Sequence, residues 1–232
     1  MPTVNDGALI YRDTRFSDEW EVCGTIRNDI KHVSIPDQIY GKPVTVIAEK
    51  AFKDCLFLKS ITLGRYIDRI DNYAFLRCYK LESVIKHDYA IAMEIGQGAF
   101  MDCRSLYSFF GCIKSIEKQS FQNCVNLEKL FISGECYTVG DYAFDGCASL
   151  DELTFETNPI LPVEIFPQSF YGARILSLYM GRLVNFNSGN ILTKETEENF
   201  FHPETKISCP SWSNLTDFAY LGRNILIKEQ HY

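Results

Sequence analysis

The chain has 232 residues, 46% of them hydrophobic and 23% charged, with 30 acidic against 23 basic side chains and a formal net charge of −7. That composition belongs to a folded chain rather than a disordered one. The negative charge, with no dense run of Lys and Arg, argues against nucleic acid or an anionic membrane surface as partner. No stretch of about 18 apolar residues is present, so no membrane insertion is expected.

Residues 1–6 carry neither the basic nor the apolar region of a signal peptide. Two localisations are open: cytoplasmic if the chain is full length, or exported if a leader has been removed. Residues 8–12 and 20–23 are strand-like runs separated by the polar residues 13–19, which predicts a hairpin covering the open edge of the next strand. Residues 33–47 then lead into the first strong motif, with a strand that ends at Pro36 because proline has no amide hydrogen to donate.

From here one phrase recurs. Phe52 has Ile47 five residues before it and Cys55, Leu58 and Ile61 three, six and nine residues after it. Phe75 has Ile70, Cys78, Leu81 and Val84 at the same offsets; Phe100 has Ile95, Cys103, Leu106 and Phe109. Phe121 has Ile116, Cys124, Leu127 and Leu130, and Phe144 has Val139, Cys147, Leu150 and Leu153. Successive phenylalanines are 23, 25, 21 and 23 residues apart, and a further step of 26 reaches Phe170. This weaker copy keeps Ile165, Leu176 and Tyr179 at the expected offsets, with Ala173 in place of the cysteine. A period in the low twenties is that of leucine-rich repeats, in which one unit cannot bury its apolar side alone and stacked units form an elongated core.

Within a unit, residues 58–63 alternate apolar and polar as a half-buried strand does, Gly64 permits a turn, and residues 67–70 return. Residues 72–78 are too few for a stable helix and are expected to form a one-turn or 3₁₀ corner with the phenylalanine as core anchor.

The ladder residues Phe52, Cys55, Phe75, Cys78, Phe100, Cys103, Phe121, Cys124, Phe144 and Cys147 are therefore assigned to the interior. Five of the nine cysteines fall at this one repeat position, with no Cys-x-x-Cys and no His pair at zinc spacing, so neither a metal nor a cofactor is expected. Buried free thiols acting as small hydrophobes are the first explanation. Disulfides between neighbouring units, roughly 5 Å apart, are the second.

After Gly181 the period fades. Residues 205–210 form one last strand in this reading, and residues 213–221 a short amphipathic helix with Ser213 or Asn214 as N-cap. Asn214-Leu215-Thr216 is formally a glycosylation sequon, though a helix start explains it as well. The resulting division is one solenoid: an N-terminal cap over residues 1–30, repeats over 31–182 and a C-terminal cap over 183–232.

The phrase Ile-x-x-x-Ala-Phe-x-x-Cys-x-x-Leu-x-x-Ile, with its lead-in Ile35-Pro36 and Gly41-Lys42-Pro43-Val44-Thr45-Val46-Ile47, resembles the BspA-like, or Treponema pallidum type, leucine-rich repeat proteins. The resemblance implies a mainly β, right-handed and curved solenoid with short strands on its concave side and one-turn corners. It also implies a hairpin cap, a strand-helix cap, and roles in surface adhesion or protein binding.

Solenoids bind through side chains that point away from the core. Ten residues after each phenylalanine lies an outward column of Thr62, Ile85, Phe110, Phe131, Thr154 and Met180, four of them large and apolar. Ser60, Ser83, Ser108, Lys129 and Glu152 flank it on one side, and His87, Cys112, Ser133, Glu156 and Arg182 on the other. An exposed apolar stripe marks an interface; the alternative is that these are only strand formers. The column with Lys129, Glu152 and Glu156 is thus a candidate surface for a protein ligand, such as a host extracellular protein, on a monomeric chain. Against it stands a spacer repeat with no ligand. Catalysis has little support: His32, His87, His202 and His231 are scattered, and His87 beside Cys112 has no third group to orient it.

Overall fold

Strands of two to four residues carry too few hydrogen bonds to persist alone, so this sequence folds by laying each strand on its counterpart in the next coil. The computed structural model describes residues 3–14, 18–86, 88, 90–133, 135–166, 168–175, 177–186, 206–210 and 225–228.

Two parallel ladders run the length of the stack. The first joins His32–Ser34, Ser60–Thr62, Ser83–Ile85, Ser108–Phe110 and Lys129–Ile132, then the opening parts of Glu152–Ile165 and Ser177–Phe186, and then Lys206–Pro210 and Ile225–Lys228. Its register is continuous: His32, Ser60, Ser83, Ser108, Lys129, Glu152, Ser177 and Lys206 lie side by side. The second joins Trp20–Thr25, Lys42–Ile47, Arg69–Ile70, Met93–Ile95, Ile113–Ile116 and Thr138–Val139, then the closing parts of the same two long strands.

At the start of the second ladder Leu9–Asp13 pairs antiparallel with Trp20–Thr25, and Thr3–Asn5 adds a further antiparallel strand. The described residues contain no α-helix. The helix expected over residues 213–221 lies outside the described residues. Ile225–Lys228 extends the first ladder as a strand that the sequence pattern had not indicated.

Between the ladders the phenylalanine corners form a third wall. Phe52, Phe75, Phe100, Phe121, Phe144 and Phe170 are buried and stack in sequence, with ring centroids 5.0 to 5.7 Å apart and planes within 11° of parallel. Phe109, from the first ladder, sets its edge against both Phe100 and Phe121 at 5.6 Å. Rings meeting in this way add to the area they bury.

The corners are not 3₁₀ turns. The second residue on either side of the five phenylalanines from Phe52 to Phe144 adopts left-handed backbone: Lys50 and Asp54, Tyr73 and Arg77, Gly98 and Asp102, Gln119 and Asn123, Tyr142 and Gly146, with φ between 56° and 72°. A 3₁₀ helix keeps φ negative throughout. The reversal splits the hydrogen bonds between two destinations. Ala51, Lys53 and Cys55 donate to carbonyls three residues back in their own coil, at 3.1 Å each. Lys50, Phe52 and Asp54 donate to Asn72, Ala74 and Leu76 of the next coil, at 3.2, 2.8 and 2.9 Å. Every buried backbone donor of the corner is thereby met, and the corner becomes part of the stacking itself.

Cysteine has a defined task here. The Sγ atoms of Cys78, Cys103, Cys124 and Cys147 donate to the carbonyls of Phe52, Phe75, Phe100 and Phe121, one coil earlier, at 3.0, 3.1, 3.2 and 3.1 Å. The eight cysteines from Cys23 to Cys147 are free, so the disulfide alternative is not realised among them; Cys55, next to the N-terminal strands, is only half-buried. Where alanine precedes the phenylalanine in most coils, Ser120 and Ser169 occupy two of them and turn their hydroxyls to the Glu117 and Phe166 carbonyls.

Candidate partner-binding face

Strand alternation in the first ladder buries one column and presents its neighbours. Val33, Ile61, Val84, Phe109, Leu130, Leu153 and Leu178 all face the core. On the opposite side, Thr62, Ile85 and Thr154 are half-buried, while Phe110 and Phe131 are 54% and 51% exposed. Thr62 lies beside Ile85, Ile85 beside Phe110, and Phe131 beside Thr154.

Met180 does not belong to this column. It is 1% exposed and packs in the core. The corner after Phe170 is one residue shorter than the others, so that Leu178 takes the place which Leu153 occupies after Phe144 and Tyr179 lies beside Thr154. Met180 falls opposite Phe155, an inward position. The same slip puts Ile175 in the core and leaves Tyr179 out of the strand-centre slot assigned to it from the sequence. A one-residue change of register reverses the face of every side chain beyond it. Ser133 is a second correction: it is buried, and its hydroxyl donates to the Ile113 carbonyl at 2.7 Å. The His87 side of the His87–Cys112 pairing lies outside the described residues.

Charge on this face is uneven. Lys129 Nζ is 2.9 Å from a Glu152 oxygen, and its ammonium is held above the ordinary lysine value first by that bond and then by Glu152, Glu128 and Asp151. On the other flank the half-buried Cys112 thiol is pushed up by burial and then by the carboxylates of Glu156 and Glu135. Three coils further toward the N-terminus, Lys59 and Glu82 neutralise each other at 3.1 Å.

Behind this face sits a residue that the repeat arithmetic passed over. Lys86 stands eleven residues after Phe75, where other coils carry Leu63, Ile132 and Phe155. It is completely buried. Its Nζ donates to the carbonyls of Ile67 and Ile91 at 2.6 Å each, and burial lowers its pKa below the usual lysine value. Gly111 in the next coil makes room for it: a Cβ there would lie 2.7 Å from Met93 Cε and 3.4 Å from Lys86 Cβ. The lysine thereby joins Ile67 to Ile91, which belongs to the longer 25-residue step between Phe75 and Phe100. A lysine at an inward offset was the available signal.

No group of three or more His, Cys, Asp or Glu side chains among the described residues is arranged to hold a metal ion. No helix there is long and apolar enough to cross a membrane.

Two strand ladders, a stacked aromatic corner and a period in the low twenties define a leucine-rich repeat solenoid. The family model for the BspA type leucine rich repeat region matches six copies over residues 27–111 and 92–196, and the chain belongs to that family. A leucine rich cell surface protein from Faecalibacterium prausnitzii A2-165 has a similar fold, with a TM-score of 0.65 and 21% identity over 80% of this chain and 51% of its own. The present chain thus spans about half the length of that protein. A leucine rich repeat protein from T. pallidum is 22% identical over 74% of this chain and 89% of its own, with a TM-score of 0.49. No curated protein sequence matches the chain.

Proposed function

We propose that this chain is a non-catalytic binding module that holds a protein ligand on the outward face of its first ladder, with Phe110 and Phe131 as anchors. The observation that carries this reading is the exposure of these two rings, both over half open on adjacent strands. Desolvating two large aromatic side chains supplies the concentrated apolar area on which protein recognition depends. Thr62, Ile85, Thr154 and Tyr179 extend the column on either side, and Lys129, Glu152 and Glu156 form its polar rim.

The F. prausnitzii relative is described as a cell surface protein; on that likeness we place this chain at a cell surface too, where adhesion is the use of such a face. The test is capture of extracellular host proteins by immobilised wild type and by the variant Phe110→Ser with Phe131→Ser. Loss of capture at an unchanged melting temperature supports the reading. Unchanged capture, or a variant that fails to fold, overturns it.

A further inference from the structure

We infer that the N-terminal edge of the first ladder is a docking site for an extended segment of a partner protein, which carries two bulky apolar residues three positions apart and adds to His32–Ser34 as a further strand. This surface is separate from the face that carries Phe110 and Phe131.

The two ladders do not begin together. Trp20–Thr25 and His32–Ser34 pair with Lys42–Ile47 and Ser60–Thr62, the strands on either side of Phe52, and so belong to one coil. From there the second ladder runs on through Leu9–Asp13 to Thr3–Asn5. The first ladder stops: His32–Ser34 pairs with Ser60–Thr62 and with no other described strand. The N-terminal hairpin therefore covers one ladder and leaves the edge of the other open.

That edge carries a defined set of groups. The Lys31 carbonyl accepts the Ser60 amide at 3.2 Å, and the Ile35 amide donates to the Thr62 carbonyl at 2.9 Å, both toward the next coil. Backbone groups of successive strand residues point to opposite edges, so the amides and carbonyls of His32 and Ser34 point away from it. They form the row of donors and acceptors that an incoming strand completes.

The side chains show the same missing neighbour. His32 and Ser34 are exposed, where their ladder partners Ser60 and Thr62 are half-buried. Ile30 stands three residues before Val33, as Leu58 stands before Ile61 and Leu81 before Val84. Leu58 and Leu81 are 1% and 0% exposed, but Ile30 is only half-buried. A segment with apolar residues at this spacing closes over Ile30 and Val33 as each coil closes over the next. Main-chain bonds give such a complex its pairing, and the two apolar residues give it selection.

A fluorescein-labelled, end-capped octapeptide with the sequence of residues 57–64 tests this by anisotropy, since that strand already pairs with the other edge of His32–Ser34. Two altered peptides serve as controls. One is N-methylated at the residues matching Ser60 to Leu63, which keeps the side chains and removes the amide donors; the other carries Leu58→Ser with Ile61→Ser. Both are expected to bind at least about ten-fold more weakly than the parent peptide. In the protein, Ser34→Pro removes an edge-facing amide and none that serves the ladder, and should abolish binding. Phe110→Ser with Phe131→Ser should leave it unchanged. Thermal melts establish that each variant is folded.

No binding of the parent peptide overturns the inference, as does equal binding of either control peptide or undiminished binding to folded Ser34→Pro. Binding lost in Phe110→Ser with Phe131→Ser places the peptide on the other face and overturns it too. If Ser34→Pro does not fold, the methylated peptide decides. Light scattering addresses the other occupant: a wild-type dimer that is absent in Ser34→Pro assigns the edge to a second copy of this chain and overturns the partner segment.

Discussion

The thiol of Cys103 donates to the carbonyl oxygen of Phe75 one coil away, with 3.1 Å between sulfur and oxygen. The contact recurs in each of the coils from Cys78 to Cys147. It explains why this repeat position prefers cysteine to valine or serine. The site is buried and has room for a small apolar atom, yet an oxygen lies within reach of one donor. A thiol meets both demands with little desolvation cost, being a small hydrophobe with a weak donor.

Replacing Cys103 with alanine removes the donor and leaves a small void, while the Phe75 carbonyl keeps the Cys78 amide at 3.1 Å. The expected cost is about 1–2 kcal/mol, read from the urea midpoint. Ala173 already stands at the matching position after Phe170, so the variant should fold. A midpoint equal to wild type would mean that the thiol contact contributes nothing.

The same burial governs reactivity. Desolvation raises the thiols of Cys103, Cys124 and Cys147, a bond to Cys103 with desolvation raises Cys78, and Cys55 is pushed up to about 11. With the thiolate as the nucleophile, iodoacetamide near neutral pH should label none of Cys78, Cys103, Cys124 and Cys147 until denaturant is added, as mass spectrometry would report. Cys112 is more open, but burial and then its neighbouring carboxylates disfavour the thiolate, so its alkylation should run slower than that of a free thiol. A faster rate would reopen the case for chemistry at Cys112.

Phe121 lies between Phe100 and Phe144 in the stack, at 5.3 and 5.6 Å, with the edge of Phe109 against it at 5.6 Å. Truncation to alanine opens a hole in the middle of a one-dimensional core whose neighbours are fixed by their own corners. Roughly 3–5 kcal/mol should be lost, more than for Cys103→Ala. Chemical denaturation of the two variants side by side checks the order.

Lys86 gives a pH signature. Its folded pKa lies below the ordinary 10.5 because burial disfavours the charged amine, although Asp88, Cys112 and Asp68 act in the opposite direction. Between the folded value and 10.5 the unfolded chain holds a proton that the folded chain has released. Stability from this group therefore rises with pH across that window and levels off above it. The neutral amine still has two hydrogens for the Ile67 and Ile91 carbonyls. In Lys86→Met this slope should vanish, so the stability of wild type relative to the variant should increase as pH approaches 10.5. A constant difference from neutral pH upward would show that the lysine does not titrate between the two states as described.

At Lys50 the backbone, not the side chain, sets the requirement. The residue is exposed with φ of 60°, and its side-chain contact is an ion pair with the adjacent Glu49. Lys50→Gly should leave the thermal midpoint close to wild type, because glycine enters left-handed backbone freely. Lys50→Val should cost about 1–2 kcal/mol through the clash of its branched side chain in that conformation. Equal melting of the two variants would contradict the corner geometry.

Much of this molecule was legible in the chain alone. Phe52, Cys55, Leu58 and Ile61 recur at the same offsets because a stacked core asks the same volume of every coil, so the period, the family and the inward residues emerge from spacing. The candidate face was legible only in its middle. Phe110 and Phe131 lie in coils whose corners have the common length, and offset alone placed them; Met180 comes after a shorter corner, and a count of residues could not locate the deletion.

Three features depended on contacts between coils. Lys50, Tyr73 and Gln119 are not residue types that demand left-handed backbone; they adopt it because their amides must reach carbonyls of the next coil, at 3.2, 2.9 and 2.9 Å. Lys86 enters the core because carbonyls at Ile67 and Ile91 converge there and Gly111 leaves space. The crowding of carboxylates about Lys129 joins residues from two coils, Glu128 with Asp151 and Glu152. Spacing along the chain settles what each coil buries, since burial repeats; what one coil demands of the next is settled only when the two are stacked.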